Sequence, residues 1–127
     1  MCSNHRFYKC DICGNLTGLI VRSGAPLSCC GQSMTELVPN KVEASTEKHL
    51  PAVTETAGGI NVQVGSVLHP MEDGHHIAFV YVQTENGGQR KCFEVGTKPK
   101  CTFTFDGDKP VAVYAYCNLH GIWKTDI

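Results

Sequence analysis

The chain lacks most of what would tie it to nucleic acid, a bilayer or a nucleotide. Lys and Arg number 11 against 12 Asp and Glu in 127 residues, a formal charge of −1. There is therefore no basic surplus to hold a polyanion or an anionic lipid surface. Apolar runs such as Ile77–Val82 fall far short of the ~20 residues a membrane-spanning helix requires. Met1-Cys2-Ser3-Asn4-His5-Arg6 leads into no apolar export segment, so a cytoplasmic location is expected. There is no phosphate-cradling P-loop, no G-x-G-x-x-G fingerprint and no nucleophile elbow. No internal repeat, low-complexity stretch or long amphipathic helical period is present. Hydrophobic residues make up 42%, enough for a modest core and too many for a disordered chain.

What the chain has in excess is eight cysteines and six histidines. Without an export signal the thiols stay reduced, and clustered cysteine then points to metal rather than to disulfides. Cys10-Asp11-Ile12-Cys13 is a C-x2-C turn, and the adjacent pair Cys29-Cys30 follows. Four thiolates make a tetrahedral sulfur site suited to zinc or iron, which the spacing does not separate. Gly14 and Gly31 follow each pair, where a turn needs freedom in φ. The competing readings are a structural zinc ribbon and a vicinal disulfide at Cys29-Cys30. A ribbon would carry a second C-x2-C, and the disulfide would leave Cys10 and Cys13 unexplained.

This first segment, residues 1–38, is too short to be held by an apolar core alone, and metal binding would supply its folding energy. A boundary is expected at Val38-Pro39-Asn40, with residues 39–127 forming a second domain. Residues 41–58 read as mostly loop or edge strand, because Pro51 disfavours helical geometry at Leu50. Beyond Gly58-Gly59 the pattern is β. Strands are expected at residues 60–64, 77–83, 90–95, 101–105 and 111–116, separated by Asn86-Gly87-Gly88, Gly96-Thr97-Lys98-Pro99 and Asp106-Gly107-Asp108. Their length, β-branched content and turn spacing predict an antiparallel sandwich.

A second set of ligand-type residues is spread over this β region. His49 lies in a loop, His69 sits at the end of a strand, His75 comes before the strand at Ile77, and Cys117-Asn118-Leu119-His120 closes a long strand. C-x2-H lets Cys117 and His120 reach one ion. Four imidazoles and one thiolate make five ligands, which leaves one octahedral position open for a small molecule. A structural zinc site closes at four.

Taken together, the cysteine pairs, Glu47-Lys48-His49-Leu50-Pro51, His69-Pro70-Met71-Glu72, His75 and Cys117-Asn118-Leu119-His120-Gly121-Ile122-Trp123-Lys124 resemble the desulfoferrodoxin family, the two-iron form of superoxide reductase. The resemblance covers essentially the whole chain. It implies a desulforedoxin-like domain holding a rubredoxin-like iron on Cys10, Cys13, Cys29 and Cys30. It implies an immunoglobulin-like β-sandwich holding a second iron, with His49, His69, His75 and His120 equatorial and Cys117 axial. The implied reaction is one-electron reduction of superoxide to hydrogen peroxide, with rubredoxin or a similar carrier returning the electron. A homodimer is implied as well, with no nucleic-acid or membrane partner. Lys48 is the expected steering charge for the superoxide anion. Glu47 resembles a family glutamate that occupies the open position in the oxidised state, against the plainer reading of a solvated loop acid. The backbone after Cys117 is the expected hydrogen-bond donor to its sulfur.

The remaining residues of these types carry structural expectations. Cys92 and Cys101 should be buried apolar thiols, Cys2 a free terminal thiol and His5 a surface residue. His76 competes with its neighbour His75, but strand alternation should turn it the other way. Trp123 should pack in the core or beside the second metal. Three other functions remain open on the residues alone: a pure electron carrier, a zinc-binding structural or regulatory module, and a superoxide dismutase.

Overall fold

The computed structural model describes residues 5–127, so Cys2 lies outside the described residues. They fall into two compact units that divide between Val38 and Pro39. In the first unit, β1 (Arg6–Lys9) pairs antiparallel with β2 (Leu16–Leu19) on one side. A two-stranded ladder of β3 (Ser28–Cys29) and β4 (Gln32–Ser33) follows. The last strand, β5 (Thr35–Leu37), pairs with the other side of β1. Only Phe7 and Cys10 are buried among the described residues of this unit. Such a small apolar interior cannot hold a fold by burial alone. His5 is not a plain surface residue. It is half-buried, its ring 4.4 Å from that of Phe7. None of these strands was expected from the sequence, because runs of two to four residues are too short to show a period.

The second unit opens with a single helical turn, α1 (Thr46–His49). Leu50 then turns extended, at φ −68° and ψ 128°, as the residue before a proline must. The chain runs on into β6 (Pro51–Thr56). The expected loop or edge strand is thus a helical turn followed by an edge strand. Next come β7 (Gly59–Val64), β8 (Ile77–Thr84), β9 (Gly88–Cys92), β10 (Lys100–Thr104), β11 (Pro110–Cys117) and β12 (Gly121–Asp126). They form two antiparallel sheets, one in the order β10-β7-β6 and one in the order β12-β11-β8-β9.

The fold is the mainly β sandwich expected. Strand alternation turns Ile60, Val62, Val64 and Phe103 of the smaller sheet toward Val80, Val82, Val113, Ala115 and Cys117 of the larger one. Burying each large side chain contributes about 1.5–3 kcal/mol. Among the described residues, no helix is long and apolar enough to cross a membrane.

Two departures matter. First, β12 was not expected, yet it pairs with β11 along its length, from Ala112 opposite Asp126 to Cys117 opposite Gly121. Second, Cys92 is exposed, because β9 is an edge strand whose five residues all face solvent. Cys101 is half-buried, packs against the core, and its thiol is pushed up to about 11 by burial.

One irregularity positions the chemistry. The register between β11 and β8 shifts between Tyr116 and Cys117, so that Cys117 faces Ile77. A bulge of this kind re-aims the side chains beside it. Here Ile77 and Cys117 both enter the core, and neither is exposed at all.

Candidate metal centres

The first centre is local to the N-terminal unit. Cys10, Cys13, Cys29 and Cys30 gather their sulfurs within 4.8 Å of one another. Two turns do this: the C-x2-C turn after β1 and the tight β3–β4 turn. Cys30 holds φ 53° there and Gly31 φ 77°, a conformation natural for glycine and uncommon for cysteine. All seven described cysteines are free thiols. Cys29 and Cys30 stand with sulfurs 3.9 Å apart and Cys13 and Cys29 3.6 Å apart. A vicinal disulfide is therefore absent. Separations near 3.8 Å are those of neighbouring corners of a tetrahedron with metal–sulfur bonds of about 2.3 Å.

Electrostatics favours one thiolate before the others. Backbone N–H groups of Cys13 and Ile12 hold the Cys10 thiol down to about 6. Sharing the site with Cys13 and Cys10 pushes Cys30 up to about 12 and raises Cys29 as well. A crowded set of thiols cannot all ionise unaided. A divalent or trivalent cation removes that obstacle, so the donor set fits a metal.

The second centre draws on four separate stretches of the sandwich unit. His49 ends α1, His69 lies between β7 and β8, His75 lies just before β8, and Cys117 and His120 bracket the β11–β12 turn. His49, His69, His75 and Cys117 bring donor atoms within 4.8 Å of one another. His120 adjoins them, its Nδ1 3.0 Å from His49 Nε2 and 3.7 Å from Cys117 Sγ. Nε2 atoms of His49 and His69 are 3.2 Å apart.

The four rings form a square. Successive pairs lie 4.6 Å (49–69), 4.6 Å (69–75), 5.2 Å (75–120) and 4.9 Å (120–49) apart, centroid to centroid, with planes crossed at 78° to 84°. The diagonal pair His49 and His75 is 6.2 Å apart. Nitrogen separations of 3.0 and 3.2 Å match neighbouring corners around an ion bonded at right angles over about 2.1 Å.

The rings are held from behind. His49 Nδ1 faces the carbonyl of Ser45 at 2.6 Å, and His69 Nδ1 faces that of Pro70 at 2.7 Å. Each contact fixes a tautomer whose Nε2 lone pair points inward. His75 Nε2 is buried and has no hydrogen-bond partner among the described residues. A nitrogen left in that state is costly unless something binds it. Burial is the main cause that lowers the imidazoles of His49, His69 and His75 below their ordinary value, His69 to about 4. They are therefore neutral at pH 7, as a metal requires. Burial raises the Cys117 thiol, and the backbone N–H groups of Leu119 and His120 oppose that rise. The expected donors behind the sulfur are thus present. This donor set, with its orphaned nitrogen, fits a transition metal.

The other candidates fall outside the square. Glu47 and Lys48 are exposed on α1. No described contact ties the Glu47 carboxylate or the Lys48 ammonium to the histidines. Even so, the charge of Lys48 reaches His49 and His75 and lowers both. His76 turns away, its Nδ1 facing the carbonyls of Glu72 and Asp73 at 3.1 and 3.2 Å. Trp123 is buried, its ring 5.0 Å from that of His49, and its Nε1 donates to the His120 carbonyl at 3.2 Å. Sequence reasoning missed the carbonyls of Ser45 and Pro70 behind the rings and the Asn118 side chain, whose Oδ1 accepts from the His76 N–H at 2.8 Å. The only sequence signal for the last is an amide lodged between two ligand-type residues.

The family model for desulfoferrodoxin matches residues 41–126, and that for the desulfoferrodoxin N-terminal domain matches residues 3–37. A desulfoferrodoxin of Syntrophotalea carbinolica is 40% identical over 119 residues, 94% of each chain. A superoxide reductase from Treponema pallidum superposes with a TM-score of 0.82 at 31% identity, covering 98% of this chain and all of that one. The one-iron superoxide reductase of Giardia intestinalis superposes with a TM-score of 0.55 at 26% identity, covering 64% of this chain and 97% of its own.

Proposed function

The chain belongs to the desulfoferrodoxin family, and from that premise we propose that it reduces superoxide to hydrogen peroxide at the second of two iron centres. The protein is an oxidoreductase. The first iron would be held by Cys10, Cys13, Cys29 and Cys30 in the domain of residues 1–38. The second would be held in the sandwich domain of residues 39–127 by His49, His69, His75, His120 and Cys117. The observation that carries this reading is the square of crossed imidazoles beside a fully buried thiol. Five such donors leave a sixth position free for a small ligand, which a structural zinc site would not.

Iron bound at that centre would supply one electron, and superoxide, that electron and two protons together make one hydrogen peroxide. The remaining tasks fall to the protein. The buried thiolate of Cys117 donates charge from the core side, and the N–H groups of Leu119 and His120 moderate it. Burial keeps the imidazoles of His49, His69 and His75 neutral, so these three add no positive charge of their own. Lys48 draws in the anion, since a unit charge pair 4 Å apart gains about 1 kcal/mol in water and ~4 kcal/mol at an effective dielectric of 20. Glu47, exposed on the same turn, would be the carboxylate that occupies the open position in the oxidised state. A one-electron carrier of the rubredoxin kind restores the iron, and the working form is a cytoplasmic homodimer.

The test is product stoichiometry on the iron-loaded protein, supplied with superoxide and a reductant. One peroxide per superoxide with no oxygen released is the expected result. Half that peroxide with matching oxygen would make it a dismutase. No acceleration with iron in both sites would leave an electron carrier.

A further inference from the structure

Three ligand-bearing stretches of the second centre are tied down close to their imidazoles, and the stretch that carries His75 is tied by other means. His49 and His69 each lock the far ring nitrogen on a carbonyl, and the Trp123 indole holds the backbone of His120. For His75 no carbonyl contact of that kind is found among the described residues. Its turn is closed by two backbone bonds, Glu72 N to His75 O at 2.9 Å and His75 N to Glu72 O at 3.1 Å, and by the His76 ring, whose Nδ1 faces the carbonyls of Glu72 and Asp73 at 3.1 and 3.2 Å. At the tip, Gly74 has open space around it. Left to itself, such a turn would move as a unit.

Asn118 spans from the other ligand loop to this turn with three hydrogen bonds. Its backbone N–H donates to the His76 carbonyl at 3.1 Å. Its Oδ1 accepts from the His76 N–H at 2.8 Å, and its Nδ2 donates to the Gly74 carbonyl at 3.1 Å. The contacts fall on the residues immediately before and after His75. Both ends of the amide are used, so the position calls for one acceptor and one donor.

We propose that Asn118 is a positioning residue for His75: it fixes the backbone on both sides of that histidine so that the buried Nε2 meets the other ligands. Asn118 is not among the five proposed ligands, and it acts through residues 74–76. The assignment rests on His75 being a ligand of the second centre. Losing a partner that orients a metal ligand typically weakens metal binding by about 10–100-fold.

The experiment is competition of zinc(II) against a chelator on the full chain, reading the affinity of the second centre with the cysteine centre as internal reference. The proteins are the unchanged chain, Asn118→Ala, Asn118→Asp, His75→Ala and the double variants. Asn118→Ala should weaken the second centre by about 10–100-fold. Asn118→Asp, which keeps the acceptor for the His76 N–H, should lose less. In the His75→Ala background neither change should cost more than about twofold, because the group they position is gone. Equal losses in both backgrounds would show a general structural role and overturn the assignment, as would no loss in either. Should Asn118→Ala fail to fold, the Asn118→Asp pair completes the same cycle. Zinc affinity involves no superoxide chemistry. A chain that gave the expected cycle but left superoxide unreduced would overturn the functional reading while Asn118 kept its role.

Discussion

His49 and His120, 71 residues apart in the chain, face each other with ring nitrogens 3.0 Å apart. Trp123 supports both, packing on one ring and donating to the carbonyl of the other residue. If all four imidazoles hold the second iron, His120→Ala should lose that iron and keep the first. Iron per chain should fall from two to one with the absorption of the cysteine centre intact. A variant that retained both irons and an unchanged spectrum would show that three imidazoles suffice.

The first centre should be separable from the reaction. Cys29→Ser removes one of four sulfurs that only a metal can hold together, so the first iron should be lost. The sandwich has its own core and its own ligands. Superoxide reduction with a small artificial reductant should therefore stay within about twofold. Rate measurement with iron analysis checks both halves. A large fall in rate would mean that electrons must pass through the cysteine centre.

Lys48 is exposed, so its effect should be electrostatic and sensitive to salt. Lys48→Ala should retain two irons and slow superoxide capture by about one or two decades at low ionic strength. The difference from the unchanged protein should shrink as salt rises, because the screening length is about 8 Å at physiological strength. Capture rates across a salt series are the measurement. Equal rates at low salt would remove the steering role.

Acid should destabilise the metal-free sandwich. Burial lowers the folded-state pKa of His49, His69 and His75, for His69 to about 4, against about 6.5 in an unfolded chain. Below 6.5 the unfolded state therefore binds more protons than the folded one, and stability falls as pH drops. The loss should develop from pH 6.5 down to about 4, with little change between 7 and 8 from these groups. The single tryptophan, Trp123, is buried in this unit. Urea unfolding followed by its fluorescence at pH 7.5 and pH 5 gives the comparison. An unchanged midpoint would mean that the imidazoles are not neutral and buried in the metal-free fold.

Much of this protein could be read directly from the sequence because its signals are local. Ile60 to Val64 alternates along one strand, and that period alone places Ile60, Val62 and Val64 in the core. Pro51 forces Leu50 to be extended, and the helical turn stops there. Cys10 and Cys13 converge through one tight turn. Where the reading failed, the deciding contact was distant. Cys92 looks like a core thiol until β9 is found at the sheet edge. Gly121–Asp126 has no strong period of its own and becomes a strand because β11 offers a free edge to pair with.

The sequence by itself determined which residues could be ligands, their chemical type and the sandwich that carries them. Donor identity and strand periodicity are properties of the residues and their near neighbours. Only the tertiary structure decided that His49, His69, His75 and His120 stand in a square with Cys117 beside it. It also decided that the amide of Asn118 clamps the turn around one of them. The physical reason is that a side chain's aim depends on strand register, on the bulge at Cys117 and on carbonyls supplied by other loops. Those arise from packing distant segments together, and no window of the chain contains them.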